Sequence, residues 1–577
     1  MNLLGLLRGR FAAALAPLSD DAPALANLVK AAQDSKFGDY QANCAMPLAK
    51  KLGEPPRKVA ERIIAGLDVA DCCEPPQIAG PGFINLTLSV PWLERALGEI
   101  VADERLGMPL ADAPRRVIID FSSPNVAKPM HVGHLRSTVI GAALYRLFRF
   151  AGHDVQSDNH IGDWGTQFGM ILYGYKHLLD KAAYERDPVA ELARLYREVN
   201  RLGEENPEVA RGAREETARL HGFDAENVSL WRDFVRICQQ ALDAMYERLE
   251  ITFDMTLGES AYHDMLPGVI HSLEERGIAQ ESEGALCVFV EDNTAPFIVR
   301  KTDGAYTYAT TDLATIRYRA ETLKDQEFLY VVDARQSEHF RMLFATARLW
   351  GYDQLDLRHV SFGTILGEDK RPFRTRSGDT VGLESLLNEA VTRARKIVDE
   401  NDDSKETPEL DAEARAAVAE TVGIGGIKYA DLRHNRDSDY VFSWDKMLAV
   451  TGDTATYIQY SYTRICGIFR KGGIDRESLR RRAPAIRLGS PAERRLAVLL
   501  LRFPESIEAA IEDCRPHFVT QYVFSLADAF TKFYEECPVL KEEDAALRQS
   551  RLVLCDLVAR MLKKGLWLLG IDTCEQM

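Results

Sequence analysis

The chain contains no run of about twenty apolar residues, which excludes a membrane-spanning helix. Its ten cysteines are scattered, the only close pair is Cys72-Cys73, and no C-x-x-C spacing occurs. Zinc ribbons and thiol-redox motifs are therefore not expected, and the default setting is a reducing cytoplasm. Basic residues are in deficit: 71 Lys and Arg stand against 87 Asp and Glu, a net charge of −16. A surface coated for non-specific nucleic-acid binding would need the opposite balance, although one local stretch, Arg464 to Arg482, is strongly basic. There is no internal repeat or low-complexity tract. The N-terminal MNLLGLLRGRFAAAL is apolar, but Arg8 and Arg10 interrupt it, so it reads as an amphipathic helix rather than a secretion signal.

The 577 residues, 46% hydrophobic and 27% charged, are those of a globular protein. A chain this long divides into about three or four domains. Residues 1–110 read as α/β, with helical patterns at 23–32 and 56–66 and strand alternation at 82–88, closed by a linker at 107–114. From Arg115 strands and helices alternate. Strands are expected at 117–121, 328–332 and 358–362, and helices at 133–151 and 337–350, capped by Gly152 and Gly351. Two such halves around a long, mostly helical insertion (about 175–260) give the expected fold class: α/β, with a doubly wound, Rossmann-type parallel sheet over 111–445. A polar boundary at 400–409 precedes helical patterns. Residues 446–577 read as a bundle with helices at 453–470, 493–514, 519–537 and 545–569.

The most informative segment is FSSPNVAKPMHVGHLRST, residues 121–138. A strand runs into a turn carrying Pro124, Lys128 and Pro129, and His131-Val-Gly-His134 opens a long amphipathic helix. Histidines three apart face the same way. At a helix N-terminus, where unpaired N–H groups already attract anions, imidazole donors can hold a phosphate and stabilise charge arising at the α-phosphorus. Gly133 leaves room for adenine or ribose. The same pattern also fits one histidine capping the helix and the other in the core.

These residues, with NHIGDWGTQFGM at 159–170, resemble the HIGH signature and its surroundings in class I aminoacyl-tRNA synthetases, and the arginyl-tRNA synthetase family in particular, over essentially the whole chain. The resemblance implies activation of arginine by ATP with Mg²⁺, with no zinc, followed by transfer to the 2′-hydroxyl of the terminal adenosine of tRNA(Arg), by a cytoplasmic monomer that binds no membrane. It implies catalytic roles for Lys128, His131 and His134, and ATP contacts at Ser122, Pro124, Asn125, Lys128, His131, Gly133, His134, Lys370 and Arg374. One departure is that the second signature loop, KMSKS, is absent. Its place, 367–377, keeps only scattered cations, and Lys128 stands where some members supply the missing charge.

The same resemblance lines an arginine pocket with Asp120, Asn125, His134, Tyr308, Asp312 and Gln336. Asp120 and Asp312, with no internal partner evident in the sequence, suit a doubly charged substrate, although Asp312 also fits a helix N-cap. Phe83 and Asn85 fall on one strand face, as an exposed aromatic beside an amide would for RNA, and equally as a ring packed under a helix. Tyr457, Tyr460 and Arg464 share a helix face, which fits a core stripe or, by resemblance, an anticodon-loop contact joined by Tyr534 and Met577. A small-molecule adenylyltransferase would not need the C-terminal bundle. A non-catalytic RNA-binding derivative would be expected to have lost the histidines or the pocket.

Overall fold

A computed structural model describes residues 2–126, 128–291, 293, 295–373 and 381–577. It contains two compact units. One comprises Met1–Leu110, Ala394–Gly426 and Leu448–Met577, the other Ala111–Arg393 and Ile427–Met447. The segment 394–426, expected within the catalytic span, thus packs with the terminal regions.

The second unit is built on four parallel strands: β1 (Arg116–Asp120), β2 (Asp154–Asp158), β3 (Glu327–Tyr330) and β4 (Asp356–His359), in the order β4-β3-β1-β2. Val117, Ile118 and Ile119 are buried, as a parallel strand covered on both faces requires. β2 lies on one side of β1 and β3 on the other, so the order switches direction between β1 and β3, and their C-terminal ends open the crevice where such sheets bind ligands. Helix α1 (Val132–Ala151) buries Leu135, Val139, Ala143, Leu144 and Leu147 and ends at Gly152, whose φ of 95° is left-handed. Helix α2 (Tyr308–Tyr318) precedes β3, and helix α3 (Ser337–Leu349) follows it. Four helices occupy 181–248, and a three-stranded antiparallel sheet, not expected from the sequence, spans Ala279–Ser282, Ala285–Val288 and Phe297–Arg300.

In the first unit, the stretch 23–32 is not one helix. Asn27 caps a five-residue helix, Ala22–Ala26, and Val29 then enters an antiparallel ladder opposite Ala42. The N-terminal sheet orders Val29–Ala31, Tyr40–Ala42, Phe83–Leu86 and Gln77–Ala79. The C-terminal bundle includes α4 (Ala455–Gly472), α5 (His517–Glu536) and α6 (Ala545–Leu568). The helix expected at 493–514 is two, Pro491–Leu501 and Phe503–Glu512, because Pro504 in the first turn of the second cannot continue the first. The N-terminal sheet is latched to these helices. Arg494 Nη2 donates to Asp39 at 2.6 Å, and the Tyr40 hydroxyl donates to Glu505 at 2.5 Å.

Candidate active site

β1 leaves the sheet through Ser122 and Ser123, both with left-handed φ, 71° and 46°. Non-glycine residues hold this conformation only when their surroundings impose it. Here Ser122 N donates to Ser137 Oγ at 2.9 Å and Ser123 N to Asn159 Oδ1 at 3.1 Å. The Ser122 hydroxyl pairs with Tyr246 OH at 2.8 Å and accepts from Thr138. Ser122, expected against ATP, is therefore buried and turned inward, and its part is to set the turn; Pro124 is buried as well. Asn125 is exposed and lies over Gly162, where any Cβ would meet Asn125 Oδ1 at 2.3 Å. That contact explains the first glycine of the NHIGDWG segment.

The two histidines cap α1, which follows the C-terminal end of β1. His131, at the N-cap, accepts from Gly133 N through Nδ1 at 3.0 Å, and His134 Nδ1 accepts from His131 N at 3.1 Å, a reciprocal capping box. With both Nδ1 atoms accepting, each neutral ring carries its proton on Nε2. Burial, followed by His131, holds the His134 imidazole down at about 4; burial, then Lys128 and Arg335, lowers His131. At neutral pH both are neutral Nε2–H donors. Gly133 has a role the sequence did not reveal. A Cβ there would strike the His131 ring at 2.8 Å, so the space expected for adenine or ribose accommodates the cap.

Lys128 is exposed in the preceding turn, its Nζ 4.9 Å from the centre of the Tyr196 ring, on the inserted helices. Lys370 is exposed in a tight turn with a φ of 60°. Arg374 lies outside the described residues.

The carboxylates expected to have no internal partner both have one. Asp120 Oδ2 accepts from Arg319 Nη2 at 2.7 Å, and the same nitrogen donates to Asp158 Oδ2 at 2.7 Å. Arg319 is fully buried, in the π-turn that ends α2. Asp120 Oδ1 also accepts from Ser123 Oγ at 2.9 Å. Asp312 Oδ2 bonds to His339 Nε2 at 2.6 Å. Asp312 is not the cap of α2; that position belongs to Thr307. Tyr308 and Asp312 lie one turn apart on α2, and Tyr308 is 64% exposed.

Sequence reasoning missed Glu259. It sits in the 3₁₀ helix Glu259–Met265, beside Gly258, where a Cβ would collide with the Asp163 carboxylate at 2.3 Å. Asp163 accepts from Ser260 N at 2.9 Å, so the two loops are locked together. Burial holds the Glu259 carboxyl up at about 7, opposed by His160 and reinforced by Asp163 and Asp312. Burial, then Glu259 and Asp312, raises the Tyr308 phenol. Tyr308, Asp312 and Glu259 are therefore close enough for their charges to act on one another, and no local motif in the sequence pointed to Glu259. Gln336 is exposed at the head of α3, next to Arg335, whose charge reaches His131.

In the first unit, Phe83 is half-buried, but Asn85 is buried and accepts from Gln41 Nε2 at 2.7 Å, so the amide is not openly presented. On α4, Tyr457 is half-buried with its hydroxyl on Thr531 at 3.0 Å. Tyr460 and, on α5, Tyr534 are exposed, with the Arg464 guanidinium 5.0 Å and 5.6 Å from their ring centres. Met577 is buried, and its carbonyl oxygen accepts from Lys405 at 3.2 Å. Two arginines of the basic stretch, Arg476 and Arg480, are taken up by Asp556 at 2.8 Å and 2.7 Å.

Three family models match consecutive parts of the chain: the arginyl tRNA synthetase N-terminal domain over residues 6–88, the class I (R) tRNA synthetase catalytic domain over 96–444, and the DALR anticodon binding domain over 458–577. The chain is 43% identical to an arginine–tRNA ligase of Rhodopirellula baltica, covering 100% of both chains. Among solved structures, it resembles the arginyl-tRNA synthetase of Plasmodium falciparum (31% identity, TM-score 0.79, 95% of this chain and 94% of that one) and that of Thermus thermophilus (26% identity, TM-score 0.83, 100% of both).

Proposed function

This chain belongs to the arginyl-tRNA synthetase family and is an arginine–tRNA ligase, and we propose that it works through arginyl-adenylate with the residues assigned here. An arginine carboxylate oxygen attacks the α-phosphorus of ATP, and the bond to pyrophosphate breaks. The 2′-hydroxyl of the terminal adenosine of tRNA(Arg) then attacks the carbonyl carbon, and AMP leaves. His131 and His134 donate Nε2–H to phosphate oxygens as negative charge develops, aided by the N-terminus of α1, and Lys128 neutralises the departing pyrophosphate. The guanidinium of arginine lies against Asp312 and Glu259 beside Tyr308, and its ammonium faces Asp120, Asn125 and Gln336. Mg²⁺ would accompany ATP and neutralise charge on its phosphates, while Lys128 and the two imidazoles act on the same groups from the protein side. Tyr460, Arg464 and Tyr534 contact the anticodon loop, with Tyr457 and Met577 behind them, and Phe83 meets the tRNA elbow, with the buried Asn85 holding its strand through Gln41. Ten unbridged cysteines support a cytoplasmic enzyme, which we read as a monomer.

The observation that carries this reading is the pair of neutral Nε2–H donors at the mouth of a twenty-residue helix. ATP–pyrophosphate exchange with each amino acid, run with and without tRNA, tests it. Arginine alone should support exchange, and exchange with another amino acid at a comparable rate would refute the assignment.

Two variants probe the acidic pocket. Asp312→Asn is expected to raise the KM for arginine at least about tenfold, because a charge-assisted bond becomes a neutral one. An unchanged KM would place the guanidinium elsewhere. Glu259 gives a pH signature. With its carboxyl up at about 7, binding a guanidinium below that pH requires loss of a proton. The Kd for arginine should therefore rise about tenfold per unit as the pH falls below 7, and level off above it. Glu259→Gln should flatten this dependence and weaken binding at pH 8. Titration calorimetry in buffers of different ionisation heat reads both, and a wild-type Kd independent of pH between 5.5 and 8 would remove Glu259 from the site.

A further inference from the structure

Away from the catalytic crevice, α6 ends in a stripe the reaction does not use. Arg560, Lys563, Lys564 and Trp567 recur at helical spacing on one face and line a concave pocket of about 270 Å³ in the first unit. Leu106, on the loop after the N-terminal domain, forms another wall. Arg560 fastens that loop, with Nη1 donating to Val101 O at 2.5 Å and Nη2 to Asp103 O. Trp567 is 46% exposed and is the one exposed tryptophan of six among the described residues, with Lys564 Nζ 4.7 Å from its ring centre.

The pocket is positive in a chain of net charge −16. Glu104 and Asp572 also line it, while Asp556, one turn below Arg560, is taken by Arg476 and Arg480. Burial, then Arg105, holds the Lys564 ammonium below its ordinary range, with Arg560 and Lys563 acting in the same sense and Glu104 against it. An exposed aromatic face flanked by cations is what single-stranded nucleic acid engages, the base on the ring and the phosphates on the ammonium groups. The pocket is also anchored to α4. Its floor, Ile571 to Thr573, is tied to α4 by Gln459 Nε2 donating to Asp572 O at 2.8 Å, and Thr463 donates to Cys574 O at 2.7 Å. The next residues on α4 are Tyr460 and Arg464.

We propose that this pocket is a nucleotide subsite for the RNA substrate, in which Trp567 stacks on one unpaired base and Lys563 and Lys564 take the flanking phosphates. The proposal rests on the reading of the chain as a tRNA-charging enzyme. Its test measures the Kd of a tRNA(Arg) transcript for wild type, Trp567→Ala, Trp567→Phe and the double variant Lys563→Ala/Lys564→Ala across a salt series. Trp567→Ala should weaken binding about tenfold, and Trp567→Phe should restore most of it. The double variant should lower the slope of log K against log salt by about 0.7–0.9 for each phosphate no longer neutralised. Charging of the same transcript by the wild type tests the underlying reading separately. Thermal unfolding and circular dichroism matching the wild type exclude a folding defect. An unchanged Kd and salt slope in Trp567→Ala and the double variant would overturn the proposal. So would loss of binding to AMP, titrated as a probe, with tRNA binding intact.

Discussion

Replacing Lys128 with alanine is expected to lower ATP–pyrophosphate exchange at least about a thousandfold, while the Kd for arginine stays within about twofold of wild type. The ammonium group stands in the turn that presents His131 and His134, close enough that its charge depresses both imidazoles. Its Nζ lies over the Tyr196 ring, a weak cation–π contact that a triphosphate can displace. Its contribution belongs to the transition state, where negative charge accumulates on pyrophosphate. A donor removed there costs rate and leaves amino-acid affinity alone. Lys128→Arg should recover only part of the activity, because a planar fork does not reproduce a compact point charge. Exchange near the wild-type rate in Lys128→Ala would transfer the role to the cations around Lys370.

Arg319→Met should be the most damaging single change to the catalytic unit. It removes the guanidinium that Asp120 and Asp158 share and leaves two carboxylates buried against each other. Breaking such an arrangement from one side costs about 3–5 kcal/mol. An unfolding midpoint about 5–10 °C lower is expected by calorimetry. The pH dependence gives the mechanism its signature. Burial already pulls the Asp158 carboxyl upward against the pull of Arg319. Without the guanidinium one of the two acids stays protonated in the folded state well above the ordinary carboxylate range. The folded protein then binds more protons than the unfolded one across that interval, and stability falls as pH rises. The variant's deficit should therefore be smaller at pH 5 than at pH 8. A midpoint equal to wild type at both values would show that the three groups do not depend on one another.

Much of this was legible in the sequence, and the reasons are specific. β1 is a short apolar run buried on both faces, and α1 carries its apolar stripe and its terminal glycine openly. β2 was not legible. Its sequence, DVQSD, has the polar composition of a loop, yet Ser157 and Asp158 are buried because Asp254 and Arg319, far away in the chain, satisfy them. The spacing of the histidines fitted a phosphate site or a helix cap, and that both rings cap the helix required seeing that the Gly133 amide points at His131 and the His131 amide at His134. Arg319 meets Asp120 across 199 residues, and Glu259 comes within electrostatic range of Asp312 from a loop with no pattern of its own. Local spacing reveals which residues share a helix face; it carries no record of which carboxylate a distant arginine will claim.

The reciprocal cap on α1 makes imidazole hard to replace. Asparagine can imitate the lone pair that receives the amide proton, and glutamine can imitate the outward-facing hydrogen. Neither holds both at opposite edges of one stiff ring. On the proposed mechanism each of these two positions asks a single side chain to be scaffold and reagent together, so a mutation that spares the helix still removes the chemistry, and one that spares the chemistry loosens the helix that aims it.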